Sequence, residues 1–275
     1  MKQYLVSITL LLFLFSGCDF HQPPTKVDQD LIYDKTPLYN DETSFPPYDY
    51  EKFQFLIDRS RLQLYKDGTT IDYGEFNAYK SPNFYVDSDE NLHFTIDKSP
   101  ETYKVRAELR EGPDSIAWST SDSEGHFWVA RLKCFKPAVG ISSYTWMQIH
   151  GTHTTYNYPI LRLFWERMRD KKYDHLWAIV ILSDPYSNNI YEYIDLGVRS
   201  DNFFTAEVHV KDNIMDILIN HKLIKTYNVT YWENVQNYFK AGVYINRFGD
   251  GGEVTAVFKS LDFFDDASKI VPTHH

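Results

Sequence analysis

From about residue 60 onward the chain is a succession of short segments in which apolar and polar residues alternate, separated by turn formers. This rhythm constrains the fold more than any other feature, because a period of two is the signature of half-buried strands. The segments are Phe84 to Val86, Leu92 to Ile96, Val105 to Arg110, Phe127 to Phe135, Tyr144 to His150, Ile160 to Trp165, Leu176 to Leu182, Ile190 to Leu196, Phe203 to Val210, Ile214 to Asn220, Lys222 to Tyr227, Tyr238 to Asn246 and Glu253 to Phe264. Breakers stand between them at Ser88-Asp89-Glu90-Asn91, Glu111-Gly112-Pro113, Asp184-Pro185 and Gly249-Asp250-Gly251-Gly252, and Asn220-His221 reads as a hairpin turn. Few stretches show a helical period, and the best of them, Thr230 to Asn237, is short. Aromatics make up 17% of the chain, with 21 Tyr and 19 Phe, and rings of this kind pack well on a pleated surface. Many strands and few helices predict an all-β fold, a two-sheet antiparallel sandwich of the β-jelly-roll kind with a groove on one sheet.

The N-terminus has a separate logic. Lys2 precedes the apolar run Leu5 to Phe15, which is too short for a membrane span and suits a signal peptide. Ser16-Gly17-Cys18 resembles a bacterial lipobox, with Phe15 where Leu is usual. Residues 1–17 are therefore expected to be a lipoprotein signal peptide, and Cys18 the lipidated residue that anchors the protein to a membrane of the bacterial cell envelope, at the outer membrane or cell surface. Residues 18–50 contain Pro23, Pro24, Pro37, Pro46 and Pro47 and show no periodicity, which predicts an extended tether. One domain over residues 51–266 and a tail over 267–275 complete the division. Cys134 reads as a small buried core residue, and no disulfide is available once Cys18 is acylated.

The formal net charge is -10. An acidic protein repels polyanions at long range, so nucleic acid is not an expected partner. An acidic polysaccharide meets the same repulsion and needs a locally basic groove. Three strands supply one. Side chains alternate faces along a strand, so Val105, Ala107 and Leu109 leave Arg106, Glu108 and Arg110 on the other side. Likewise Met147 and Ile149 leave Trp146, Gln148 and His150, and Phe239, Ala241, Val243 and Ile245 leave Lys240, Gly242, Tyr244 and Asn246. A solvated sheet face is the plain alternative. Seven donors or cations against one carboxylate, in a chain of this charge, instead suit an anionic ring-shaped ligand. Glu108 reads as the partner that fixes the two guanidinium groups, and Trp146 as a ring on which a sugar could stack.

Arg106-Ala107-Glu108-Leu109-Arg110 resembles the R-x-E-L-R motif of alginate lyases of polysaccharide lyase family 7. Gln148-Ile149-His150 is similar to that family's Q-[IV]-H, and Tyr238-Phe239-Lys240-Ala241-Gly242-Val243-Tyr244 to its Y-F-K-A-G-x-Y. The likeness runs from about residue 55 to 264 and includes Ser81-Pro82-Asn83-Phe84-Tyr85. It implies a β-jelly roll and cleavage of a 1,4-linked uronate polymer by β-elimination, leaving 4,5-unsaturated ends. Arg106, Gln148 and His150 would surround the substrate carboxylate, Tyr244 would protonate O4, and either His150 or Tyr244 would take the C5 proton, depending on the epimer. Arg110, Glu108, Lys240, Asn246 and Trp146 would bind or position substrate. Asn246 stands where the family usually has Gln, which bears on uronate preference, and Q-I-H points weakly to guluronate. The charge logic is general: stabilising the enolate-like charge dominates such chemistry, His with a pKa of about 6.5 can act as a base, and Tyr near 10 rests protonated.

No cofactor or metal is expected. His150-x-x-His153 follows a strand and lacks H-E-x-x-H. Gly249-Asp250-Gly251-Gly252 lacks the Lys of a phosphate loop and reads as a hairpin turn. Asn228-Val229-Thr230 is a chance glycosylation match, and His274-His275 a tail. The substrate is expected to be alginate and the protein a monomer. Two alternatives remain: a lyase of another polyuronate such as glucuronan or ulvan, and a non-catalytic carbohydrate-binding jelly roll, which has no need of the His150 and Tyr244 pair.

Overall fold

The computed structural model describes residues 39–64, 69–71, 78–137, 139–152, 158–185, 187 and 190–265. Cys18, the expected signal peptide, His153, most of the 151–158 loop and the tail from 266 lie outside them. Among the described residues no helix is long and apolar enough to cross a membrane.

Alternation builds two antiparallel sheets. In chain order the strands are β1 (Ser60–Leu64), β2 (Thr69–Ile71), β3 (Phe84–Val86), β4 (Leu92–Lys98), β5 (Lys104–Glu111), β6 (His126–Cys134), β7 (Ser143–Gly151), β8 (Pro159–Arg169), β9 (Lys172–Ile181), β10 (Tyr191–Val198), β11 (Phe204–Lys211), β12 (Ile214–Ile219), β13 (Lys222–Asn228), β14 (Asn237–Asn246) and β15 (Gly252–Phe264). One sheet runs β10-β9-β8-β7-β14-β5-β1-β2 and the other β13-β12-β11-β6-β15-β4-β3. The facing sides meet in one apolar core, in which Val105, Ala107 and Leu109 of β5 and Phe239, Ala241, Val243 and Ile245 of β14 pack with Phe94, Trp128, Phe258 and others. Cys134 is fully buried there. Burying one such large side chain stabilises the fold by roughly 1.5–3 kcal/mol. The opposite sides of β5, β7 and β14 are left for the groove.

Every segment expected to be a strand is one, with ends shifted by a few residues. Asn220 and His221 take φ of 50° and 61°, the left-handed pair of a two-residue hairpin between β12 and β13. Four expectations need correction. β1 and β2 have no counterpart in the sequence reading. Thr230 to Asn237 forms one 3-10 turn, Thr230–Trp232, and then enters β14, while the one α-helix among the described residues lies at Glu51–Asp58. Phe53, Leu56 and Ile57, at helical spacing, are its buried face. The tether does not reach residue 50, since Phe45 bridges Val86 and Lys80 Nζ donates to the Ser44 carbonyl at 2.7 Å. Finally, the Gly249–Gly252 segment is no hairpin. It carries the chain from β14 in one sheet to β15 in the other, and is pinned from both sides: Lys98 Nζ donates to the Asp250 carbonyl at 2.6 Å, and Ser142 N donates to the Asp250 carboxylate at 3.0 Å.

Candidate active site

Three neighbouring strands, β5, β14 and β7, present the side chains singled out by alternation. The β14–β5 ladder sets Tyr244 opposite Arg106, Gly242 opposite Glu108 and Lys240 opposite Arg110. On its other edge β14 pairs Lys240 with Gln148 and Tyr238 with His150. One depression is lined by Arg106, Gln148, His150, Lys240 and Tyr244, together with Gln63, Lys104 and Tyr238. Asn246 is exposed on the rim of the two adjoining depressions, which also share Tyr244.

Glu108 lies under the floor at 2% exposure. Its carboxylate accepts from Gln148 Nε2 at 2.6 Å and from Lys240 Nζ at 2.5 Å, whereas Arg106 stands 3.6 Å away. Its close bonds therefore orient the amide and the ammonium, a different role from the expected guanidinium clamp. Lys240 is itself 3% exposed, so it reaches the groove as part of this fixed network. Burial lowers its pKa to about 8, against the opposing pull of Glu108. Arg106 donates to Gln63 Oε1 at 3.2 Å and lies 4.6 Å over the Tyr244 ring. Arg110 sits 4.1 Å over the Tyr238 ring.

His150 is held by its own strand end. Nδ1 lies 3.0 Å from the Gly151 carbonyl, which can only accept, so this nitrogen carries the proton in the neutral ring. The Tyr238 hydroxyl is 3.1 Å from the same nitrogen, and the two rings stack at 5.4 Å. Nε2 is left with a lone pair and has no bonding partner among the described residues. Burial, reinforced by the Lys240 ammonium, pushes the imidazole down to about 4, so it is neutral at pH 7. Tyr244 moves the other way: burial raises its pKa, with Arg106 opposing, and the phenol stays protonated.

Trp146 is not in the groove. It is 1% exposed and packs in the core, 5.9 Å from both the Trp128 and Phe204 rings. The cause is a bulge. β8 pairs Phe164 with Thr145 and Leu163 with Met147, so Trp146 is an extra residue with no partner. A bulge lets two consecutive residues face the same way, here Trp146 and Met147 into the core. Sequence reasoning also missed Tyr238, Gln63, Lys104 and Arg162. Tyr238 was within reach, since carrying the β14 alternation back from Lys240 puts it on the groove side. Gln63 was hidden with β1.

An all-β sandwich with a guanidinium, an amide, a neutral imidazole and a protonated phenol converging on one open basic depression defines a polysaccharide-lyase class of scaffold. Comparison with known proteins narrows the class. The profile described as alginate lyase matches residues 58–265. An alginate lyase of Photobacterium sp. (strain ATCC 43367) is 26% identical, over 79% of this chain and 87% of its own. Among solved structures, alginate lyase AlyC3 superposes with a TM-score of 0.71 at 22% identity, over 84% of this chain and 99% of its own. Alginate lyase A1-II', of polysaccharide lyase family 7, gives 0.64 at 21% identity, over 80% and 98%. At these identities the structural likeness is one of fold. The chain belongs to the alginate lyase family.

Proposed function

We propose that the protein cleaves alginate by β-elimination, with Arg106, Gln148, His150 and Tyr244 as its catalytic residues. The observation that carries this reading is the convergence of those four groups, from three strands, on one depression open to solvent. The wider relatives agree with the substrate: AlyC3 has been seen in complex with dimannuronate, and A1-II' with a product denoted GGG.

A uronate carboxylate resists the extra negative charge that loss of the C5 proton brings. Arg106 and the Gln148 amide receive it, with the Lys240 ammonium close behind. This is charge stabilisation by groups already in place. The Nε2 lone pair of His150 takes the C5 proton. The C5–H electrons become the C4=C5 double bond, the C4–O4 bond breaks, and O4 leaves with the Tyr244 proton. The arriving carboxylate also offsets the positive charges that hold His150 down, so binding raises the basicity of the imidazole when it is needed. The raised pKa of Tyr244 supports the donor role.

Nothing in this scheme needs a metal, and among the described residues no cluster of His, Cys, Asp and Glu has the geometry to hold one. The Ser16-Gly17-Cys18 segment, which resembles a lipobox, supports attachment to the cell envelope through a lipid on Cys18, with the domain acting on polymer outside the cell.

His150→Ala and Tyr244→Phe should each lower kcat by roughly 10²–10⁴-fold, the usual worth of a general acid or base. The ultraviolet absorbance of the unsaturated product reads this on mannuronate-rich and guluronate-rich alginate in parallel, with far-ultraviolet circular dichroism to confirm the fold. Near wild-type rates for Tyr244→Phe on both polymers would refute the assignment.

A further inference from the structure

We propose that the groove continues past Tyr244 into a distal uronate subsite, where Arg162 and Arg247 receive a sugar carboxylate and Tyr193 supports a pyranose ring. The proposal rests on the lyase reading and extends it to the length of chain the enzyme grips.

The trough does not end at the four central residues. It runs on across β8, β9 and β10, lined by Thr145, Arg162, Arg169, Tyr193, Asn246 and Arg247. From β14 to β10 is four strand spacings, about 19 Å. A 1,4-linked sugar chain lying across the strands would cover that span with several rings, each carrying a carboxylate. Cations must then recur along the path, and they do: Arg106 and Lys240 on β5 and β14, Arg162 on β8, and Arg247 just beyond β14.

The distal cations differ from the other arginines of this sheet. In a chain of net charge -10, neither Arg162 nor Arg247 has a carboxylate partner among the described residues. The contact found for Arg247 is a 3.2 Å hydrogen bond to the Ser142 hydroxyl. Arg169, by contrast, is committed. It is held by Glu166 at 2.5 and 3.3 Å, and its guanidinium lies 3.7 Å over the Tyr193 ring. That arrangement braces the phenol and leaves Tyr193 42% exposed. Beneath it Phe164, Trp177 and Ile179 form a small apolar cluster separate from the main core. A fixed, half-exposed ring beside two uncompensated guanidinium groups is what a carboxylated pyranose requires: a flat apolar face for the ring and bidentate donors for the acid.

A parallel track past Tyr158 and Tyr191 is the competing path. The test is chain-length dependence. kcat/KM is measured on purified alginate oligomers from trimer to octamer for wild type, Tyr193→Ala, Tyr193→Phe, Arg247→Ala and Tyr191→Ala, with melting curves to confirm folding. The expected result is that the octamer-to-trimer ratio of kcat/KM falls about tenfold in Tyr193→Ala and Arg247→Ala. It stays near wild type in Tyr193→Phe, which keeps the ring, and in Tyr191→Ala. A ratio unchanged in both Tyr193→Ala and Arg247→Ala overturns the subsite, as does an equal fall in Tyr191→Ala. If wild type itself fails to cleave the oligomers, the lyase reading falls. If wild type cleaves and the ratios are flat, only the subsite does.

Discussion

Replacing Glu108 by Gln removes one charge from the floor of the groove while keeping shape and volume. Glu108 and Lys240 are 2% and 3% exposed, and breaking a buried pair of this kind ordinarily costs about 3–5 kcal/mol. Here the cost should be smaller. Lys240 already has a pKa of about 8, so at pH 7 it escapes the loss of its partner by releasing a proton, at roughly 1.4 kcal/mol per unit of pH below its pKa. Adding about 1 kcal/mol for the weakened bond from Gln148 gives a total near 2–3 kcal/mol. For a domain of this size that is a fall of about 5–10 °C in melting temperature. The fall should depend on pH with a definite sign. Above pH 8 Lys240 is neutral in both folded proteins and its contribution to the difference vanishes. Below pH 8 it is charged and paired only in the wild type, so the gap widens as pH falls. Activity should drop about 10²-fold, the order of effect of a misaligned catalytic group, because the Gln148 amide is displaced and the Lys240 charge is lost. Melting curves between pH 6 and 9.5 and the absorbance assay test this. A melting difference that does not change with pH would refute the argument from Lys240, and a fully active variant would refute the positioning role.

Trp146→Ala should lower stability by about 3–5 kcal/mol through the cavity it leaves, with KM for alginate unchanged in the folded enzyme; a raised KM with no change in melting temperature would instead put the indole on the sugar. The acid limb of kcat/KM, which reports the free enzyme, should lie near pH 4 and not near 6.5, because His150 must be neutral to accept a proton and its pKa is lowered to about 4. Lys240→Met removes a positive neighbour and should move that limb upward in a pH–rate profile. The same shift contributes stability that is complete above about pH 6.5 and lost as pH falls toward 4, since the unfolded chain binds the proton first.

Alternation made most of the site legible. In β5 and β14 a strict period of two separates core from groove, so Arg106, Lys240 and Tyr244 fall on the correct side from sequence alone. The same rule failed at Trp146 because a bulge inserts one residue, and a period of two cannot register an insertion that only pairing with β8 reveals. Turn residues around Asp250 showed that the chain turns. They carry no information on which sheet the next strand joins, and there it crosses to the other one. β1 follows the helix Glu51–Asp58 after the single residue Arg59, with no Gly or Pro to mark where the period changes, and Gln63 was lost with it. The Glu108 network was hidden for another reason: Gln148 and Lys240 are far from it in sequence, and only the strand order β7-β14-β5 makes them neighbours.

Gly242 has a φ of 137°, and any side chain there would drive into the Ala107 carbonyl and the Glu108 backbone of β5. At this residue the ladder from β14 to β7 breaks, between Ala241 and Tyr244, while the ladder to β5 continues unbroken to Asn246. Tyr244, the proposed proton donor, thus keeps its register with Arg106 on β5, while on the β7 side it meets Thr145 only after the break and His150 lies before it, opposite Tyr238. A small slide of β7 would alter the distance between acid and base without disturbing the phenol's seat on its guanidinium. The spacing of Tyr244 from His150 is accordingly set at the break in β14, whereas Glu108 on β5, through Gln148 and Lys240, still ties the floor of the groove into one network.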